Sequence, residues 1–280
     1  MKVLVLSGGG ARGAYQMGCI EALMDRGERW DAIVGTSVGA LNAAGLSYLG
    51  LAHLKDIWLR HIKTPDDILK RHWLIQMPWK RGVYSLSPLK ELLKEELQKS
   101  KAGPTIPFWS GVCDLGNMKV DFVPHDQDLR LTIQNVLASA SMPVIMDPVD
   151  VTKVDGGVRD IVPMSFPIKS LGATELTVIS CSPYSENQLA DGVKWDAKFP
   201  KIVSYLARTI ETMTAEIQWQ DMQLCKLYNE MPGKRRVRVV VYAPGQRPIL
   251  EALDFHADLI KKAYDLGKDM ANLPVMAFGG

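Results

Sequence analysis

One run, Asp31-Ala-Ile-Val-Gly-Thr-Ser-Val-Gly-Ala-Leu-Asn42, leaves this chain few folds to choose from. Ala32-Ile33-Val34 is a short apolar stretch of the kind that forms a buried strand, and Ala40-Leu-Asn-Ala-Ala44 favours a helix. Between them stands Gly35-Thr36-Ser37-Val38-Gly39. A Gly-x-Ser-x-Gly turn joining strand to helix is a nucleophile elbow, which throws the serine hydroxyl out at the strand end. Gly35 and Gly39 leave no side chain where strand and helix must pass closely. The helix N-terminus beside Ser37 offers unpaired N–H groups and a partial positive charge to a developing anion. The plainer alternative is a Gly-rich turn in which Ser37 only caps the helix.

Upstream, Lys2 to Ser7 is a continuous apolar strand that runs into Gly8-Gly-Gly-Ala-Arg-Gly13. A helix follows, with Ala14, Met17, Cys19, Ile20, Leu23 and Met24 on its apolar side. The opening order is therefore strand, glycine loop, helix, strand, elbow, helix. That order predicts an α/β fold with a mostly parallel, helix-covered sheet.

The glycine loop has three readings. Gly8-x-Gly10-x-x-Gly13 has the spacing of a dinucleotide fingerprint, but the second strand ends in Gly35-Thr36-Ser37 where an acidic ribose ligand is needed. A Walker loop needs Gly-Lys-Ser/Thr, and Gly13-Ala14-Tyr15 denies it. The third reading is an oxyanion hole, in which glycine N–H groups approach an acyl oxygen that turns negative. If the two strands are parallel neighbours, loop and serine emerge at one sheet edge, and the third reading makes them one site.

Further along, Ser87-Pro88-Leu-Lys-Glu-Leu-Leu93 opens an amphipathic helix with Ser87 as N-cap. Pro107–Asp114 and Met118–Val123 suggest paired strands joined by a two-residue Gly116-Asn117 turn. A helix with Leu129, Ile133, Val136, Leu137 and Ala140 on one face stops near Met142-Pro143. Val149 to Asp155 alternates as a strand and turns at Gly156-Gly157. Leu176–Ser180 and Val237–Tyr242 are apolar strands, and Ile202–Tyr228 is a long helix. Phe255, Leu259, Ala263, Leu266 and Met270 stripe a closing helix, with Asp254 as its N-cap.

The whole chain has 280 residues, a net charge of +2 and a composition 47% hydrophobic and 23% charged. That suits one sizeable core and gives no case for nucleic acid as a partner. Cys19, Cys113, Cys181 and Cys225 fit no disulfide or metal spacing, so reduced thiols in a cytoplasmic protein are expected. The opening apolar run is too short for a signal peptide, and no stretch reaches the ~20 apolar residues of a membrane span. Arg71 to Gly82 mixes apolar, aromatic and basic residues. Its Trp73–Trp79 portion suits peripheral contact with a lipid–water interface, although a long loop with a partly buried cap is the simpler reading. With no linker or repeat visible, one domain spanning residues 1–280 is expected.

A serine hydroxyl needs a base. Ser37, Asp155 and His256 follow the chain order of an α/β-hydrolase triad. The elbow comes too early for that fold, however, and His256 sits in a helical apolar pattern. The remaining arrangement is a dyad in which Asp155, at a strand end, takes the proton directly. Its carboxyl must then be desolvated to become a useful base.

Together Gly8-Gly-Gly-Ala-Arg-Gly13, Gly35-Thr-Ser-Val-Gly39 and Asp155-Gly-Gly157 resemble the motifs of the patatin-like phospholipases, in the same order and local settings. Ser139-Ala-Ser-Met-Pro143, Ile161-Val-Pro163 and Ser87-Pro-Leu-Lys-Glu-Leu-Leu93 are similar to secondary landmarks of that family. The similarity runs from about residue 2 to 182, and the helices and strand of 200–272 are expected to complete the same domain. Asp160 is a departure, since the family often shows Asn there. The resemblance implies a three-layer α/β/α fold and a serine lipid acyl hydrolase that needs no metal or cofactor. It implies Ser37 as nucleophile and Asp155 as general base and acid. It places the oxyanion hole at Gly8, Gly9, Gly10, Arg12 and Gly13, with Gly9 and Gly10 donating and Arg12 and Gly13 fixing the loop. Gly156 and Gly157 position the aspartate. A soluble esterase, thioesterase or acyltransferase, or a silent lipid-binding module, are the competing functions.

Overall fold

Val3 and Val5 point to one face of the first strand, β1 (Lys2–Leu6), and Leu4 and Leu6 to the other; all four are fully buried. A strand apolar on both faces needs cover on both sides. Leu4 and Leu6 join a core cluster with α1 (Gly13–Asp25), α2 (Val38–Asp56) and α7 (Ala257–Met270). Val3 and Val5 join a second cluster with α5 (Ser165–Lys169) and α6 (Ile202–Glu230). The neighbouring strand β2 (Ala32–Thr36) divides in the same way, Ile33 to the first cluster and Ala32 and Val34 to the second. The result is the expected α/β/α layering. The computed structural model describes residues 1–72, 80–100, 102–183, 202–245 and 251–279, so the Trp73–Trp79 stretch lies outside the described residues.

The central sheet has the order β11-β10-β9-β1-β2-β5-β6, with β8 also paired to β5. These strands are β5 (Phe108–Asp114), β6 (Lys119–Pro124), β8 (Lys153–Asp155), β9 (Glu175–Ile179), β10 (Arg238–Tyr242) and β11 (Met276–Phe278). The middle of the sheet, β10-β9-β1-β2-β5, is parallel throughout, and β11, β6 and β8 are antiparallel additions. A small second sheet joins β3 (Lys70–Arg71), β4 (Gly82–Ser85) and β7 (Val144–Met146). Leu89, Leu93 and Leu97 of α3 (Ser87–Leu97) and Ile133, Val136 and Leu137 of α4 (Leu129–Ser139) extend the first cluster. All four cysteines are free and buried. No helix among the described residues is long and apolar enough to cross a membrane.

Several local expectations shift. The β5–β6 turn spans residues 115–118 rather than two residues, with Met118 exposed at φ 57°. The strand expected from Val149 forms only at Lys153–Asp155, where it pairs with the end of β5 at Val112–Asp114. The N-cap of α3 is Leu86, one residue before Ser87. In α7 the buried stripe is Ile260, Ala263, Tyr264 and Gly267, and His256 is the N-cap. Ala263 and Phe255 are buried as expected, while Leu259, Leu266 and Met270 are only partly buried at the edge of the same core. The most buried line is shifted toward Gly267, because Gly18 of α1 lies against the Tyr264 carbonyl and Gly267 against the Tyr15 carbonyl. Asp254 instead accepts a hydrogen bond from the Glu251 N–H.

Candidate active site

The register of β1 on β2 sets Leu6 opposite Gly35, so the glycine loop and the elbow leave the sheet side by side. Close backbone approach explains two glycines. A β-carbon on Gly39 would stand 2.2 Å from the Leu6 carbonyl oxygen, and one on Gly10, whose φ is +60°, would stand 2.0 Å from that of Ala252. Ser37 itself has φ 57° and ψ −127°, a conformation that costs a non-glycine residue roughly 1–3 kcal/mol. Several hydrogen bonds hold it there. The Ser37 N–H donates to Ser139 Oγ at 3.0 Å, and Ser139 Oγ–H donates to the Gly111 carbonyl on β5 at 2.6 Å. The Ser37 carbonyl accepts from the Ala40 and Leu41 N–H groups and opens α2.

Asp155 ends β8, antiparallel to β5, which is itself parallel to β2. Its N–H donates to the Ser141 carbonyl at 3.0 Å. The side chain is fully buried; Oδ1 accepts the Gly157 N–H at 2.7 Å, and Oδ2 has no hydrogen-bond partner of full geometry. Burial pushes the carboxyl up to about 7, against the pull of the nearby Ser37 hydroxyl and the Gly157 N–H. The hydroxyl is thus close enough to favour the charged carboxylate, while the bond between them is not closed. Such bonds are often long before substrate binds. Gly156 lies against the β5 backbone, where a β-carbon would meet the Gly111 oxygen at 2.4 Å.

Within the glycine loop the donors divide. The Gly8 N–H is already bonded to the Ile161 carbonyl at 3.1 Å, so Gly8 contributes clearance rather than a donor. The Arg12 N–H donates to the Gly9 carbonyl, and the Gly13 N–H caps the same turn. The Gly9 and Gly10 N–H groups make no hydrogen bond among the described residues. The Arg12 side chain is buried, reaches Ser182 Oγ at 3.2 Å and pairs with Glu211 on α6. Gln16 and Asn42 brace the loop from behind: Gln16 Nε2 donates to the Ser7 and Ile179 carbonyls, and Asn42 Nδ2 to the Gly13 carbonyl and Gln16 Oε1. The sequence names none of these braces, because polar residues inside helical patterns carry no periodic signal.

Ser37, Asp155 and the glycine loop line one cavity of about 190 Å³. Its inner wall is apolar, with Leu41 and Leu49 of α2, Ile68, Leu69, and Leu89 and Leu93 of α3. No histidine lines it. His256 caps α7, His53 contacts Glu96, and His72 contacts Asp147.

Ile161 was not singled out as an individual residue in the sequence, although it sits in a recognised stretch. Its side chain fills the space that β-carbons at both Gly8 and Gly157 would need, so one residue spaces the glycine loop from the Asp155 loop.

No curated protein sequence matches the chain. Among solved structures, VipD from Legionella pneumophila is similar over 97% of this chain and 66% of its own, at 14% identity and a TM-score of 0.49. The type III effector protein ExoU is similar over 96% of this chain and 51% of its own, at 12% identity and a TM-score of 0.43. The chain thus spans less than two thirds of either. Residues 4–168, more than half of the chain, match the family model for patatin-like phospholipases. The chain belongs to the patatin-like phospholipase family.

Proposed function

We propose that this chain hydrolyses acyl esters of lipids, in the manner of a phospholipase A or lysophospholipase, through a Ser37–Asp155 dyad. The observation that carries the reading is the buried Asp155 carboxyl, with one oxygen fixed by Gly157 and the other open beside the Ser37 hydroxyl in the lining of a largely apolar cavity.

Ser37 Oγ attacks the acyl carbonyl while its proton passes to Asp155 Oδ2. The carbonyl oxygen gathers negative charge and rests on the Gly9 and Gly10 N–H groups, with the N-terminus of α2 adding its dipole. Collapse of this intermediate expels the alcohol or lysolipid, which leaves with the proton from Asp155. Water then attacks the acyl-enzyme in the same way: Asp155 takes its proton and returns it to Ser37 as the fatty acid departs. A carboxyl held up to about 7 suits both directions of transfer near neutral pH. The apolar wall favours an acyl chain over a small polar acyl group.

The test is lipid-product analysis with fluorophosphonate labelling. Wild type is expected to release fatty acid and to be labelled at Ser37. Ser37→Ala is expected to lose about 10⁴-fold or more in kcat and all labelling. Fatty-acid release that survives in Ser37→Ala would dispose of the reading.

A further inference from the structure

Two carboxyl groups beside the site have no part in this mechanism. Asp160 follows the short helical turn Gly156–Val158, and its backbone touches both catalytic turns. Its N–H donates to the carbonyl of Gly156, the residue after Asp155, at 2.9 Å. Its carbonyl accepts the hydroxyl of Thr36, the residue before Ser37, at 3.1 Å. Asp221 lies on α6 and accepts the Val162 N–H. The two carboxyls stand within hydrogen-bonding reach of each other. Each residue is partly exposed, yet Asp160 Oδ1 and Asp221 Oδ2 are fully buried and have no donor among the described residues.

Two ionised carboxylates in contact repel, and a buried oxygen without a donor costs free energy. One proton between them removes both penalties, because a protonated carboxyl is itself a donor. The surrounding charges agree. Burial pushes both carboxyls up, the charge on Asp160 pushes Asp221 further, and Lys169 of α5 favours the charged form of Asp160. Thr36 of β2 and the backbone of Val162 add only neutral partners. Arg159 precedes Asp160 in the chain, and Asp155, at the other end of the same loop, also titrates. A neutral Asp221 donating to a charged Asp160 fits all of these.

We propose that Asp160 and Asp221 share one proton, and that this bond is the positioning link that ties the Asp155 loop and the Thr36–Ser37 turn to α6. Both are positioning residues, since neither touches the reacting atoms. An asparagine at 160 would donate such a bond at every pH; the carboxyl pair makes it only while the proton is held. The kinetic consequence rests on the Ser37–Asp155 reading, whereas the proton itself does not.

In the unfolded chain each aspartate titrates near ~3.9. The folded pair holds its proton to higher pH, so the folded state binds more protons from about pH 4 upward, and stability falls as pH rises until the pair loses its proton. Asp155 adds a slope of the same sign to every variant, so differences between variants report the pair.

The experiment measures thermal unfolding and acyl-ester kinetics from pH 5 to 9 for wild type, Asp221→Asn and Asp221→Leu. Asp221→Asn supplies a fixed donor and is expected to flatten the decline of Tm with pH. Asp221→Leu strands Asp160 and is expected to lower kcat roughly 10- to 100-fold with KM little changed. Asp221→Asn is expected to restore that loss and to remove the alkaline fall in kcat that loss of the shared proton is expected to cause in wild type. A wild-type Tm slope retained in Asp221→Asn, or wild-type kcat in Asp221→Leu, overturns the proposal. If the Tm slopes separate as expected but no protein cleaves the ester, the hydrolase reading fails and the shared proton stands.

Discussion

At the scale of single residues, the site is a set of local costs held in place by neighbours. Ser37 keeps its strained turn because its N–H and carbonyl are both satisfied. Asp155 keeps an open, buried oxygen because packing excludes water from it. Burial raises the folded Asp155 carboxyl to about 7, above its unfolded value, so its contribution to stability is intact below ~pH 4 and is lost as pH rises toward 7. Asp155→Asn is therefore expected to raise Tm at pH 8 relative to wild type and to leave it unchanged at pH 4. The difference in unfolding free energy at pH 8 should be of order 1–4 kcal/mol, checked by denaturant titration at both pH values. Wild-type kcat is expected to climb with pH through about 7 as the base ionises, a limb that a pH–rate profile reads directly. The serine and the aspartate were both legible in the sequence, because their turns demand glycines at fixed offsets. Ser139 was legible only as part of a resembling stretch, since nothing local tells that its hydroxyl bridges β5 to the elbow.

Among the elements, α2 does two things. Its N-terminus starts directly after Ser37, and one of its faces lines the cavity through Leu41, Gly45 and Leu49, each four residues on from the last and from Ser37. Twelve residues at ~1.5 Å each give a wall of about 18 Å, close to the length of a long acyl chain. The straight run ends at Gly50, where the helix kinks at φ 77°. Leu49→Trp is expected to cut turnover of palmitoyl esters and spare octanoyl esters, while Leu41→Trp, nearer the serine, is expected to cut both. A chain-length series of monomeric esters measures this, and equal losses at all lengths for Leu49→Trp would remove α2 as the wall that sets length. The elbow also depends on α4 through Ser139. Ser139→Ala leaves the Ser37 N–H unpaired and is expected to cost about 1–3 kcal/mol in a denaturant titration. The types of the central strands and the longer helices were legible because apolar periodicity differs between strand and helix, whereas β3, β4, β7, β11 and α5 are too short to show a period. Their ends were less so: the β5–β6 turn, the short β8 and the face of α7 were each decided by what packs against them.

Across the whole molecule, the site is assembled where β1, β2 and β8 end, on elements far apart in sequence. The C-terminal part closes it. Glu211 of α6 pairs with Arg12 of the glycine loop, Asp221 of α6 meets Asp160 beside the aspartate loop, and Ala252 accepts the Ala11 N–H. One long helix therefore touches both halves of the site, a link for which the sequence offers no signal, since ion pairs between distant segments leave no spacing pattern. By itself the sequence determined the strand–turn–helix units, the glycines that let backbones meet, and the turns that carry Ser37 and Asp155, because each follows from local sterics and periodicity. Only the tertiary structure decided that the aspartate is dry and beside the serine, that Gly8 is a spacer while Gly9 and Gly10 keep their N–H groups, and that Asp160 meets a second carboxyl. Those are facts of burial and distance, and burial and distance arise only when the sheet brings its strand ends together and the helices shut out water.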